Sequence, residues 1–292
     1  MGIEISMKRI FLVGAPRSGT TILQSLLAAH PEITSFPETK FFQYLWSNRL
    51  KSRLPDRLHE FFHKEICRPD LCNESEIYKG SSTSDRIKWF VEVLDRLTLE
   101  DGNNIWLEKT PEHVYFIQDI LNYLPNAKFI HLVRNPLDVV ASMRKATSDP
   151  SNNAVWGGKW SLQFCTERWK SSASVNNYFR NDSQHLLVRY EDLLEDKVKI
   201  LSQCCDFADV DYAPEMLQNY QVQAIVLGLG HPWHKDIDRE IEPAIGAKYK
   251  KFFTEDEIRY ILRETAELRS HFGYLPPTSE SASNDSESII KD

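Results

Sequence analysis

The sequence predicts an α/β protein, a parallel β-sheet flanked by helices, and three features of its 292 residues carry that expectation. Short apolar runs of strand length alternate with longer stretches whose apolar residues recur at helical spacing. One run, Ala127 to Val133, is mostly apolar, as strands covered on both faces of a parallel sheet are. The first strand-like run ends in a polar, glycine-bearing loop, Gly14 to Thr21, that opens directly into a helical pattern. A loop in that context can cradle phosphate on its backbone.

Taken in order, Arg9 to Val13 reads as the first strand, and Ile22, Leu23, Leu26 and Leu27 mark a helix that stops at His30-Pro31. Ile33 to Phe36 is a short second strand, followed by an aromatic-rich helix over Lys40 to Trp46. Lys51 to Leu99 is helical and charged with a turn-like break at Asn73 to Thr83, and is read as an insertion between strands that caps the substrate side. Asn104 to Leu107 is the next strand and His113 to Tyr123 an amphipathic helix. After Ala127 to Val133 a helix starts over Leu137 to Met143, Trp160 to Phe179 is helical, His185 to Val188 is the last strand, and Glu191 to Phe207 is helical again. Gln223 to Gly246, rich in Gly, Pro and His, reads as a loop. Thr254, with Glu257 three residues on, should cap a helix running to Phe272. Residues 1–275 are thus expected to form one domain with an insertion over about 51–99, and the Ser-, Glu- and Asp-rich 276–292 a disordered tail.

Thirty-five Lys and Arg against forty-two Asp and Glu give a formal charge of -7, which argues against nucleic acid or an anionic membrane as partners. Any polyanion must then be met by a local basic pocket. No apolar run reaches the roughly 18 residues of a membrane span, and the N-terminus lacks a signal-peptide pattern, so a soluble cytoplasmic protein is expected. The five cysteines (Cys67, Cys72, Cys165, Cys204, Cys205) show no metal or redox spacing and are read as buried thiols. His30 and His131 are read as structural, and the His231/His234 pair lacks the further ligands a zinc site needs.

Gly14-Ala-Pro-Arg-Ser-Gly-Thr-Thr21 keeps the glycine spacing of a nucleotide-binding phosphate loop but places Thr20 where that loop requires Lys. The only cation, Arg17, lies inside the loop. A nucleoside triphosphatase would lose its β/γ-phosphate clamp by this change, while the anion site itself remains.

These residues resemble the 5'-phosphosulfate loop of sulfotransferases that use 3'-phosphoadenosine 5'-phosphosulfate as donor. Three further segments are similar to the family in order and spacing: Glu108-Lys-Thr-Pro111, Phe129-Ile-His-Leu-Val-Arg-Asn-Pro136 with Ser142, and Arg189-Tyr-Glu-Asp-Leu193. Together they span about residues 8–272. The resemblance implies a phosphate-loop α/β fold and a cofactor-like donor that leaves as adenosine 3',5'-bisphosphate, with no metal required.

It also implies roles. Pro16, Arg17, Ser18, Gly19, Thr20 and Thr21 would hold the 5' end of the donor, and Arg134 with Ser142 its 3'-phosphate. Glu38, in Phe36-Pro-Glu-Thr39, aligns with the family's general base, and Lys40 stands where some relatives carry Arg. Lys109 matches a lysine that stabilises charge on the transferring group together with Arg17, although its sequence position also allows a salt bridge with Glu108 or Glu112. Tyr190 would either stack on the nucleotide or belong to the core, and Lys248 would reach the 3'-phosphate or adenine side.

The expected activity is sulfuryl transfer to a hydroxyl, or an amine, of a small-molecule acceptor such as a natural product. Two alternatives stand beside it: an atypical nucleotide kinase, which the missing loop lysine opposes, and an inactive donor-binding scaffold, which the retained Glu38 and Lys109 oppose. The aromatic and charged Trp156 to Trp169 segment suits a pocket wall or helix packing equally. Oligomeric state leaves no mark in the sequence.

Overall fold

Strand β1 (Lys8–Gly14) lies at the centre of a parallel sheet with β2 (Ile33–Phe36), β3 (Ile105–Lys109), β4 (Lys128–Val133) and β5 (His185–Arg189), ordered β2-β3-β1-β4-β5. The protein is seen here as a computed structural model that describes residues 6–71, 82–152, 156–226 and 248–274. The tail 276–292, the His231/His234 loop, Cys72 and most of the Asn73 to Thr83 break lie outside the described residues.

Side-chain alternation along β1 builds both cores. Phe11 and Val13 face one layer with Trp106 and Phe129, covered by α2 (Phe41–Trp46), α3 (Leu54–Glu60), α4 (Thr83–Glu100) and α5 (Ile117–Tyr123). Phe11 sits at the middle of that layer, its ring 5.2 Å from Trp106 and 5.3 Å from Phe129. Ile10 and Leu12 face the other layer with Leu107, Ile130 and Leu132. A third cluster joins Ala15 and Val133 to α6 (Pro136–Ser148) and α7 (Leu162–Phe179). Much of the predicted insertion is therefore a helical layer lying on the sheet, since Leu54, Leu58, Phe61 and Phe90 are all buried there.

Several helices differ from expectation for local reasons. The stretch read as His113 to Tyr123 begins as a 3-10 turn, Pro111–Phe116, before α5. Glu191 to Phe207 is two helices, α8 (Tyr190–Glu195) and α9 (Lys197–Ala208), because the Asp196 side chain accepts from Lys199 N and restarts the helix. Beyond α10 (Glu215–Gln218), helix α11 (Tyr220–Val226) extends into the predicted loop, so Gln223 to Val226 is helical. Thr254 and Glu257 form the expected capping box on α12 (Glu255–Glu264), but the helix breaks at Thr265 before α13 (Ala266–His271). Cys165, Cys204 and Cys205 are buried as expected, whereas Cys67 is exposed.

His30 and His131 hold structural positions. His30 Nε2 lies 2.8 Å from Asp211 O while Nδ1 accepts from Glu32 N, which assigns the neutral ring with its proton on Nε2. His131 bridges Asn176 and His185 inside the sheet, at 2.9 and 2.8 Å. Among the described residues no helix is long and apolar enough to cross a membrane.

Candidate active site

Five parallel strands end on one edge of the sheet, and each delivers a piece of the site there. The Gly14–Gly19 loop follows β1, Glu38 follows β2, Lys109 closes β3, Arg134 follows β4 and Tyr190 follows β5. Gly14 has no room for a side chain: a Cβ there would stand 2.5 Å from Leu132 O on the neighbouring strand. Arg17 and Gly19 hold left-handed backbone, φ 70° and 100°, and turn the loop into α1 (Thr20–Ala28). The helix start leaves the Thr20 and Thr21 N–H groups without intrahelical acceptors.

Glu38 and Lys109 meet. Lys109 Nζ donates to Glu38 Oε1 at 2.6 Å, and the lysine is only 1% exposed against about a third for the glutamate side chain. Neither Glu108 nor Glu112 takes that partner's place. Lys40 Nζ stands 3.6 Å from the other carboxylate oxygen. Burial works against the Lys40 ammonium, yet Glu38 and Glu112 together hold its pKa above the ordinary lysine value.

Glu108 points the other way, into the fold, and is fully buried. It accepts from Thr39 N at 3.0 Å, Thr39 Oγ1 at 2.9 Å, Thr110 Oγ1 at 2.6 Å and the His113 ring at 2.9 Å. Burial alone would raise its carboxyl, but His113 and these hydrogen bonds hold it below the ordinary glutamate value. The turn carrying Glu38 is thereby pinned to the end of β3.

On the opposite side, the Arg134 guanidinium lies 4.4 Å over the Tyr190 ring, and its buried Nε has no hydrogen-bond partner. The same ring packs against the loop, since a Cβ on Gly19 would fall 2.4 Å from Tyr190 Cδ2. Arg17 Nε donates to Ser142 Oγ at 3.1 Å, which ties the loop to α6. The edge thus gathers Arg17, Lys109 and Arg134 with helix-start N–H groups beside one carboxylate, a constellation able to hold an anion at two points and take up a proton between them.

The sequence matches the model of the Sulfotransferase family over residues 9–214. The chain belongs to the sulfotransferase family. It is 26% identical over 281 residues to a putative protein-tyrosine sulfotransferase of Caenorhabditis briggsae, covering 93% of this chain and 90% of that one. An uncharacterized Aquifex aeolicus protein is 21% identical over 75% of this chain, which spans only 28% of its length. In fold, the chain is similar to the sulfotransferase domain of the Synechococcus PCC 7002 olefin synthase, with TM-score 0.65, 22% identity and coverage of 95% and 99%. It is also similar to a mouse sulfotransferase complexed with PAP, with TM-score 0.56, 16% identity and coverage of 92% and 89%.

In this sulfotransferase most of the sequence-named residues share the strand-end edge, with differences of detail. Ser18 is fully buried, and its Oγ has no hydrogen-bond partner among the described residues. Pro16 in the loop and Thr20 at the start of α1 are buried, while Thr21 is half-buried. Ser142 is engaged by Arg17, a link the sequence does not announce. Lys248 opens a 3-10 turn, Lys248–Lys251, and its side chain lies outside the described residues. Trp169, in the segment that suited a pocket wall, is core, donating Nε1–H to Arg134 O at 2.9 Å. Gln24, which no sequence motif singles out, donates to Phe36 O at 2.8 Å and so braces the chain just before Glu38. In the sequence it shows only as a polar residue within the apolar helical pattern of α1. Among the described residues no group of three or more His, Cys, Asp or Glu side chains is placed to hold a metal.

Proposed function

We propose that this sulfotransferase moves a sulfuryl group from 3'-phosphoadenosine 5'-phosphosulfate to a hydroxyl, or an amine, of a small-molecule acceptor such as a natural product. The observation that carries the reading is the 2.6 Å Glu38–Lys109 pair at the strand ends beside the Gly14–Thr21 loop. The donor is anionic at two separated points, and the site offers two matching cations: Arg17 within the loop, and Arg134, whose guanidinium lies over the Tyr190 ring with its Nε unpartnered.

In the mechanism this geometry supports, Glu38 accepts the acceptor proton as the acceptor oxygen attacks sulfur, and the bond from sulfur to the 5'-phosphate oxygen breaks. Lys109, turning from Glu38 toward the transferring group, and Arg17 with the loop N–H groups meet the charge that develops on the departing phosphate. The products are the sulfated acceptor and adenosine 3',5'-bisphosphate. None of these roles calls for a metal. The same reading takes residues 1–275 as one domain that works in the cytoplasm.

A peptide tyrosine is the second acceptor class, favoured by the similarity to the putative protein-tyrosine sulfotransferase of the nematode. A panel of phenols, alcohols, amines and tyrosine peptides offered with the donor separates the two classes by which product forms. Calorimetry decides the donor: adenosine 3',5'-bisphosphate should bind without magnesium, and preferential binding of ATP with magnesium would instead support a kinase. Donor binding with no transfer across the whole panel would favour a scaffold.

A further inference from the structure

The turn that carries Glu38 lies between β2 and α2 and has no regular secondary structure to fix it. Lys40 within it holds left-handed backbone, φ 55°, a conformation a non-glycine residue keeps only under outside support. Two of its N–H groups are held from the β3 end, Thr39 N by Glu108 and Lys40 N by Thr110 Oγ1 at 3.0 Å. Two of its carbonyls are held from elsewhere. The Arg57 guanidinium, on α3, donates Nε–H to Thr39 O at 3.1 Å and Nη2–H to Glu38 O. Arg57 is 7% exposed, so its charge is almost wholly out of water. Glu60 and Glu65 answer it, at 3.2 Å from Nη1 and 3.0 Å from Nη2, and outweigh the cost of burial to keep the guanidinium firmly protonated.

We propose that Arg57 is a positioning residue of the reaction: it clamps the Glu38 and Thr39 carbonyls from the helical layer so that the Glu38 carboxylate is presented to Lys109 and the acceptor. The role rests on the reading of Glu38 as base. Two parallel N–H donors from one rigid plane are what the two successive carbonyls require, and a lysine, with a single flexible point of donation, does not replace them. The residue lies outside every motif that carries the family resemblance. The helical layer between β2 and β3 therefore does more than cover the sheet, because its position sets the aim of the base.

The test compares full-length wild type with Arg57→Lys, Arg57→Ala and Glu65→Gln. Its readouts are hydrogen exchange of the peptide spanning residues 36–42, calorimetric affinity for adenosine 3',5'-bisphosphate, and steady-state transfer to p-nitrophenol. In Arg57→Lys, exchange over residues 36–42 should rise about tenfold while β1 and β4 stay protected. Bisphosphate affinity should stay within about twofold, and kcat should fall about tenfold or more with acceptor KM within about threefold, as expected for a misaimed group. Millimolar guanidinium should restore part of the lost kcat to Arg57→Ala. Wild-type exchange and kcat in Arg57→Lys would overturn the proposal. So would protection lost evenly across the sheet in Arg57→Lys and Glu65→Gln, which marks a purely structural residue. If the wild type transfers nothing to p-nitrophenol, that result bears on the sulfotransferase reading alone, and the exchange of residues 36–42 still decides the role of Arg57.

Discussion

Lys109 is the residue on which the proposed chemistry turns. A nearly buried ammonium has to find a counter-charge, and at the end of β3 it finds the Glu38 carboxylate. Replacing it by Met keeps the volume and removes the charge. We expect Lys109→Met to lower kcat by about 100-fold or more, in line with removing one preorganised electrostatic group, while adenosine 3',5'-bisphosphate binds within a few-fold of wild type. A variant that turned over normally would mean that Lys109 serves only to neutralise Glu38. Glu108, its neighbour in sequence, has the opposite task. It faces inward and is saturated by Thr39, Thr110 and His113, so two adjacent charged residues of one motif split into a site residue and an anchor. Strand alternation alone accounts for the split.

The loop shows how elements constrain each other. Gly19 has left-handed backbone and lies under the Tyr190 ring at the start of α8, so the loop after β1 and the end of β5 fit as one unit. Gly19→Ala should lose about 1–3 kcal/mol of stability and weaken bisphosphate binding, because it is strained in φ and collides with the ring. Thermal melts and calorimetry of Gly19→Ala and of the Gly19→Ala/Tyr190→Ala pair measure both parts: the pair should regain the steric share and keep the backbone share. Equal melting temperatures for wild type and Gly19→Ala would contradict this packing. The strands, the loop and the order of the sheet-facing runs were legible because each is written in contiguous residues. The breaks at Asp196 and Thr265 were not, since both lie inside helical periods and show only as side-chain bonds back to the chain. Glu38 and Lys109 were legible as separate motifs, but their contact spans 71 positions in sequence and appears only once β2, β3 and β1 are side by side. Arg57 had no signal, being one cation in a charged helical stretch.

At the scale of the whole molecule the formal charge is -7, yet cations gather at one sheet edge, with Arg134 over Tyr190 and Lys109 against Glu38. Acid should act first on the interior. Burial pushes His131 down to about 4, with His185 adding to the effect and Asn176 opposing it. The unfolded chain takes up that proton near pH 6.5 and the folded chain does not, so stability is full above 6.5 and drains away toward pH 4. Linkage puts the loss at about 2 kcal/mol between pH 7.5 and 5 and about 3 kcal/mol in all. Glu108, held below its ordinary value of 4.5, contributes to acid loss only below that pH. Urea denaturation at pH 7.5 and 5 should show this loss in wild type and a flattened dependence in His131→Gln; the same slope in both would assign the acid sensitivity elsewhere. In the proposed function, this scale means one donor held across the ends of five strands, with an acceptor deprotonated beside it. The most direct test is to incubate the protein with 3'-phosphoadenosine 5'-phosphosulfate and the acceptor panel, and to quantify sulfated product and adenosine 3',5'-bisphosphate for wild type and Glu38→Gln. Wild type should release the two products one to one, and Glu38→Gln should bind the bisphosphate normally yet lose about 100-fold or more in turnover; equal turnover by the two proteins, or bisphosphate released with no sulfated product from any acceptor, would contradict the account.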